Sequence, residues 1–443
     1  MRKTLVKAEE FKDSPLGRIP KDWDVVPLSS VFQIQTGATP LRTKHQSYFV
    51  GGTIPWVKTM DLKEGWIVDT DERITEIALK ECSVQLLPPK TVLIAMYGGW
   101  EQIGRTGILK DSATTNQAIS SLIKISPLVE PEFVLRALQY GRFRWKGIAA
   151  STRKDPNITR NDVVNFLIPL PPLDEQSHIA EILDTVDEMI AHTSSLIAKL
   201  KQMKAGLLHD LLTRGLDENG ELRDAIGHPE QFQDSPLGRI PKNWEATTIG
   251  EQASTSSGST PNRSNPKYWQ DGTIAWVKTG EVNYTFIQDT EEKVTQKALS
   301  ETSLTVYPVD TVLMAMYGQG VTRGKVGILG IEATTNQACA AIIPKYNKLV
   351  SRYLFHYLSY YYDEIRSISH GSNQSNLNER LIASFPIQLP PIKEQIRIVE
   401  MIDTHDTRIR TEEAYRDKLK LQKQGLMHDL LTGKVRVNCL GDK

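Results

Sequence analysis

The sequence predicts an α+β protein in which a mixed α/β domain followed by a long helix is written twice, the two helices pairing as an antiparallel coiled coil. Three observations carry this prediction. Motifs return in order: Asp13–Trp23 (DSPLGRIPKDW) as Asp234–Trp244 (DSPLGRIPKNW), Ile54–Thr59 (IPWVKT) as Ile274–Thr279 (IAWVKT), and Ala113–Ala118 (ATTNQA) as Ala333–Ala338. The step between copies is 221 residues at Asp13 and 219 at Thr213, a period too long for a solenoid and right for a duplicated domain. Second, Pro171–Thr213 and Pro390–Thr432 each open on two prolines and continue free of proline, as a long helix does. Third, short β-branched or apolar runs bounded by Gly, Pro or Asp, such as Thr91–Met96 and Thr311–Met316, fill the rest.

The elements follow in chain order. Pro15, Gly17 and Pro20, then Gly37 and Pro40, punctuate the start with turns ahead of the first strands. Apolar spacing predicts a short helix over Pro131–Arg144, and its counterpart is Ser351–Arg366. In the first long helix Ile179, Val186, Thr193, Leu200 and Leu207 recur every seven residues, with Ile182, Met189, Leu196 and Met203 between them. That is a heptad stripe seeking a partner helix, over a length of roughly 60 Å at 1.5 Å per residue. Asp174 and Glu175 sit in its first turn, where the helix dipole favours negative charge. The segment Arg214–Gln233 is polar and contains glycine, so an exposed linker is expected. The second long helix departs from the stripe at His405 and Glu412, polar positions that can fix register at a cost in stability. The division is a first domain over 1–172, a helix over 173–214, a linker over 215–234, a second domain over 235–391, a helix over 392–432 and a tail over 433–443.

Composition excludes several classes. Hydrophobic residues make up 40% and charged residues 24% of the 443, as in ordinary globular proteins. Cys82, Cys339 and Cys439 are odd in number and far apart, which points to a reducing cytoplasm rather than a disulfide framework or a zinc site. The absence of an apolar run near 18 residues argues against a membrane span or secretion. Net charge is zero, with 53 basic and 53 acidic residues, so any nucleic-acid binding must rest on local patches or on basic partners.

Enzyme signatures are tested and set aside. Leu-Pro-Pro-Leu-Asp lacks the leading Asn or Asp and the trailing aromatic of an amino-methyltransferase motif, and a helix start explains its prolines. Glu291-Glu292-Lys293 matches a nuclease fragment, but its repeat counterpart is Asp71-Glu72-Arg73, and a charged turn is the better explanation. His209-Asp210 and His428-Asp429 lack further ligands at metal spacing, and neither a P-loop nor a dinucleotide fingerprint is present. What recurs is a pair of Gly-rich loops leaving a strand, Tyr97–Gly107 and Tyr317–Gly327. Glycine admits close backbone approach to phosphate, Arg pairs with guanine and Gln with adenine. Candidate contacts are therefore Tyr97, Gln102, Arg105 and Thr106 in the first copy, and Tyr317, Gln319, Thr322, Arg323 and Lys325 in the second. A second pair of polar loops adds Arg153, Lys154 and Asn157, and Asn373, Gln374 and Asn376. These loops differ between copies, as readers of two different sequences must. Lys58 and Lys278, in the shared Trp-Val-Lys-Thr, are expected to hold phosphate without reading bases.

The series Trp-Val-Lys-Thr, Ala-Thr-Thr-Asn-Gln-Ala and Leu-Pro-Pro-x-x-Glu-Gln at the head of a long helix, met twice, resembles the specificity (S) subunit of Type I restriction–modification systems. The resemblance spans nearly the whole chain. It implies two target recognition domains, each reading one half of a split DNA site, with helices that set the spacing and dock two modification subunits; because the loops differ between copies, the bipartite site is expected to be asymmetric. It implies a non-catalytic chain without cofactors of its own. S-adenosylmethionine for adenine N6 methylation, and ATP and Mg²⁺ for translocation and cleavage, would belong to modification and restriction partners. A stand-alone methyltransferase or nuclease, and a scaffold that does not read DNA, are the alternatives.

Overall fold

Strands form where the apolar runs are densest. The computed structural model describes residues 3–7, 10–149, 156–318, 321–368 and 376–439. Contacts divide the described parts of the chain into two units, one from residues 1–194 with 413–443, the other from 195–412. Each unit thus takes the start of one long helix and the end of the other.

In the first unit a five-stranded sheet runs in the order Phe32–Thr36, Ile119–Lys124, Val92–Ala95, Thr106–Leu109, Trp66–Ile67. All neighbours are antiparallel except the last pair. Val92–Ala95 is apolar at every position and every residue is buried, as a central strand covered on both faces requires. Helix Pro131–Tyr140 turns Phe133, Val134, Ala137 and Leu138 inward and packs against this sheet. A three-stranded sheet, Thr114–Thr115, Ile54–Val57 and Glu72–Ile74, carries a smaller core around Trp56. The second unit repeats both sheets, the larger as Ala253–Ser257, Cys339–Pro344, Val312–Ala315, Val326–Leu329, Phe286–Ile287. Its smaller sheet is Glu292–Val294, Ile274–Val277, Thr334–Thr335.

The long helices are Leu173–Thr213 and Ile392–Leu431. They pair antiparallel: inside the first unit Asp187 meets Lys423 at 2.6 Å, and inside the second Lys204 meets Asp406 at 2.5 Å. The seam runs on Ile179, Val186, Thr193, Leu200 and Leu207 as the heptad predicts, but its other row lies one residue later than predicted. Leu183 and Ile197 are buried, whereas Met189 and Met203 are 39% and 51% exposed. Four-residue steps alternate with three-residue steps, so the intervening knobs sit at i+4 of each heptad position. The polar His405 and Glu412 stand on the second helix at half-buried seam positions.

Two of the connecting segments make contacts of their own. The segment after Arg214 is not a plain exposed linker: Leu216 is 2% exposed and bridges Leu222, and Arg223 is buried against Glu394. In the last segment Val435–Cys439 forms an antiparallel pair with Lys3–Lys7.

The conserved words of the repeat have a structural cause within each unit. Glu175 accepts bonds from Trp23 Nε1 at 3.0 Å, Arg436 Nε at 2.7 Å and the Val437 N–H. Glu394 accepts from Trp244 Nε1 at 3.0 Å, Arg223 Nη1 at 2.6 Å and the Leu216 N–H. One buried carboxylate therefore ties the helix start, the tryptophan of the Pro-Lys-x-Trp turn and the chain that follows the other helix. Gln176 and Gln395, both fully buried, accept the N–H of Glu130 and Val350 and donate to the carbonyls of Pro171 and Pro390. Buried polar groups demand partners, and the Glu-Gln pair supplies them for the loop ahead of the short helix.

Candidate nucleic-acid interface

Each Gly-rich loop leaves the central strand of its larger sheet. In the first unit Gly98, Gly99 and Gly104 have φ of 110°, 76° and 71°, conformations that favour glycine. A side chain on Gly104 would run into the Trp145 ring, so the loop is pinned against the helix corner behind it. Tyr97 is 43% exposed, and Arg105 is half-buried with Nη1 donating to Gln102 Oε1 at 3.3 Å. Thr106 has turned inward: it is fully buried and donates to Glu64 Oε2 at 2.9 Å, so it holds the strand and offers nothing to a ligand.

In the second unit Tyr317 is 39% exposed and Thr322 half-buried. Lys325 Nζ donates to Asn283 Oδ1 at 2.8 Å and lies 5.8 Å from the Tyr284 ring centre. Arg323 is 8% exposed, which leaves little of it for a base edge. Arg153, Lys154, Gln319, Asn373 and Gln374 lie outside the described residues. The structure does bring the two predicted loops of each unit together. Ile158 N–H bonds Met96 O at 3.0 Å and Leu377 N–H bonds Met316 O at 3.1 Å. Asn157 and Asn376, half-buried and exposed, thereby stand next to Tyr97 and Tyr317 in the chain pairing.

Lys58 and Lys278 are engaged elsewhere. Lys58 Nζ meets Asp71 and Glu72, each at 2.7 Å, and Lys278 Nζ meets Glu291 at 2.5 Å and Glu292 at 3.4 Å. Arg42 and Arg263 complete these networks on Glu72 and Glu292, their guanidinium carbons 4.4 Å and 4.0 Å from the ring centres of Phe49 and Trp269. The Arg42 guanidinium, with Lys58 behind it, holds the Glu72 carboxyl at about 2 although burial pulls it the other way. A lysine that already carries two carboxylates has less to give a phosphate, so these networks serve the smaller sheets first.

Residues not singled out from the sequence line the same face. Arg142, just after the short helix, bonds Glu64 at 3.1 Å and the carbonyls of Ile103 and Glu101. Its repeat counterpart Tyr362 meets Tyr284 edge-on, with ring centres 6.0 Å apart, and donates to Val321 O at 2.6 Å. Glu64 and Tyr284 both adopt left-handed backbone, φ 63° and 53°, which places two different side chains at one spot of the fold. Burial, then the neighbouring Tyr362, raises the Tyr284 hydroxyl to about 12, so it stays a neutral donor. The available signal in the sequence was the change of residue type at matched repeat positions. Its spatial meaning required the fold.

A group with metal-ligand chemistry lies in the second unit, where His356 Nε2 contacts Asp403 at 3.1 Å with Asp406 nearby. Both carboxylates already hold cations, Arg352 at 2.8 Å and Lys204 at 2.5 Å, so the group is a charge-balanced helix contact. Among the described residues no helix is long and apolar enough to cross a membrane.

Comparison with known proteins agrees with this architecture. The family described as Type I restriction modification DNA specificity domain matches residues 20–202 and 241–421, one match per repeat. The putative type I restriction enzyme MjaX specificity subunit of Methanocaldococcus jannaschii is 25% identical over 445 residues, covering 97% of this chain and 98% of that protein. The EcoR124I/EcoR124II specificity subunit of Escherichia coli is 26% identical over 245 residues, 54% of this chain and 55% of that protein. Among solved structures, the S subunit of a Type-I restriction-modification system from M. genitalium superposes with a TM-score of 0.57 at 16% identity, covering 92% of this chain and 96% of that one. A chain from a structure of type I R-M complex assembly and conformational transition gives 0.58 at 19% identity, over 94% and 99%. With the family matched over both repeats and the duplicated domain-and-helix fold in place, the chain belongs to the Type I restriction–modification DNA specificity family.

Proposed function

We propose that the chain is the DNA sequence-specificity subunit of a Type I restriction–modification enzyme, each unit reading one half of an asymmetric bipartite site. The observation that carries this reading is one scaffold written twice with different side chains on matched Gly-rich loops, among them Arg105 against Lys325. Shared elements such as Ala-Thr-Thr-Asn-Gln-Ala are tied into the fold, with Thr114 Oγ1 on Pro55 O and Thr334 Oγ1 on Ala275 O, so sequence choice falls to the loops. Arg105, Lys325, Gln102, Asn157 and Asn376 are suited to base edges, and Tyr97 and Tyr317 to sugar or base faces. Arg153, Lys154, Gln319, Asn373 and Gln374 would extend the polar loops. Lys58, Lys278, Thr322 and Arg323 have at most a supporting part, given their partners and burial.

The paired helices set the distance between half-sites and dock two modification subunits, which bring S-adenosylmethionine; restriction subunits bring ATP and Mg²⁺. Half-sites about one helical turn apart lie roughly 34–36 Å from each other. With zero net charge, the chain alone binds DNA weakly, and partners supply much of the phosphate neutralisation. The test is genome-wide N6-methyladenine mapping in a host carrying the cognate modification subunit, with and without this chain. A split motif that appears only with the chain supports the reading; unchanged methylation refutes it in favour of a scaffold. Methylation or cleavage by the purified chain alone would point to a stand-alone enzyme.

A further inference from the structure

The face beside each Gly-rich loop is completed by a helix corner whose residues differ between the two units. In the first unit Gly141–Phe143 turns into Arg144–Ala149, and a cleft of about 460 Å³ opens between this corner and the loop. Its walls include Trp100 and Phe143, 47% and 66% exposed, with Arg105 and Lys146 as cations and Glu101 as a carboxylate. Large aromatic faces this open to water are unusual in a region otherwise well packed, and mark a binding surface. Lys146 is exposed and without a partner among the described residues. Trp145 also lines the cleft; it is 1% exposed and its Nε1–H has no hydrogen-bond partner among the described residues. Leaving such a donor unpaired is costly, and an acceptor atom supplied by a ligand would satisfy it.

The second unit has the same corner in other residues. Tyr362 and Arg366 replace Arg142 and Lys146, Tyr284 replaces Glu64, and the buried Arg323 replaces Ile103. The Glu64–Arg142 ion pair of one unit becomes the edge-on Tyr284–Tyr362 pair of the other, so the side chains have exchanged as a set. Here too one buried donor has no partner among the described residues: Arg323 Nε, close to Arg366, whose Nη1 donates to the Arg323 carbonyl at 3.2 Å. Two corners, each with an exposed aromatic, a cation and a buried N–H that finds no partner among the described residues, sit at one place in a duplicated fold.

We infer that this corner, joined in the first unit by Trp100 of the Gly-rich loop, is a second base-reading element of each unit acting on duplex DNA: Phe143 and Lys146 in the first unit, Tyr284, Tyr362 and Arg366 in the second. The inference rests on the specificity reading proposed above. Flat apolar faces suit thymine methyl groups or exposed base faces, and Lys suits guanine acceptors. Glu101 accepts from the amino group of cytosine, a preference that a purely phosphate-binding patch would not carry. The mixture of one carboxylate with cations and aromatics is therefore suited to bases more than to backbone.

The test uses the whole chain with its cognate modification subunit, comparing methylation maps for the native chain, Phe143→Ala and Lys146→Ala. Both side chains are exposed, and thermal unfolding of each purified complex checks the fold. The expected result is that discrimination at one or two base positions of a single half-site falls about tenfold, the loss of one good base contact, while the other half-site is read as before. An unchanged motif and unchanged extent of methylation in both variants overturns the inference. So does a uniform slowing with the motif intact, which would make the corner a phosphate grip only. If Phe143→Ala unfolds the complex, Lys146→Ala decides by the same criteria. Failure of the native chain to direct any split motif defeats the specificity reading itself, an outcome the variants cannot mimic.

Discussion

Glu394 shows what one residue does in this protein. Its side chain and that of Arg223 are each 8% exposed, and it also receives the Trp244 indole and the Leu216 amide. Glu394→Ala strands the guanidinium in a buried site, and we expect a loss of about 3–5 kcal/mol, read as a lower denaturant midpoint. Its counterpart Glu175 shares Arg436 with Asp22, so Glu175→Ala leaves that cation one carboxylate and costs less. Glu72 gives a pH signature. Its folded carboxyl lies at about 2 against an ordinary 4.5, so its contribution is complete above about 4.5 and is lost as pH falls toward 2. The native chain should exceed Glu72→Gln in thermal midpoint near neutral pH, with the gap closing on acidification; a gap that persists at pH 2 would sink the ionic account. From sequence, Glu175 read only as a helix-dipole residue, because nothing local reveals that Trp23 and Arg436 converge on it.

At the scale of elements, the long helices decide a question of register. Both rows of the heptad were visible as apolar residues, yet Leu196 and Met203 are as apolar as Ile197, and a pattern alone does not choose among them. Packing does. We expect Ile197→Ala, at 4% exposure, to cost about 2–4 kcal/mol, and Met203→Ala, at 51% exposure, to change stability by no more than about 0.5 kcal/mol. Chemical unfolding of the two variants checks this, and equal losses would put the seam back on the predicted row. The Lys204–Asp406 pair is a partly exposed contact between the helices. A double-mutant cycle with Lys204→Ala and Asp406→Ala should return a coupling of about 0.5–1 kcal/mol that shrinks in high salt.

At the scale of the molecule, the duplication separates reading from assembly. The two units share both sheets, the matched helices Pro131–Tyr140 and Ser351–Tyr360 and the Glu-Gln helix start, and differ on the faces formed by the loops and the corners. Replacing residues 14–170 with those of a relative should change one half of the methylated motif and leave the other, as read by methylation mapping with the cognate modification subunit. A change in both halves would mean that the units do not read independently. The first and last described strands both belong to the first unit, where Val435–Cys439 closes on Lys3–Lys7. The second unit has a continuous chain, Arg214–Gln231, at the matching end of the other helix.

The duplication, the fold class, the long helices and the family were legible in the sequence, because they rest on repeated words and on periodicities that each segment carries by itself. The Gly-rich loops were also found, since glycine at left-handed backbone marks its own place. Tertiary structure alone decided which candidates are buried or already paired. It turned Thr106 and Arg323 inward and set two carboxylates on Lys58 and Lys278. It also placed Trp100, Phe143 and Lys146 around one cleft. The physical reason is that burial and charge pairing depend on residues far apart in the chain, Glu64 with Arg142 or Glu175 with Arg436, and no local pattern encodes which of them will meet.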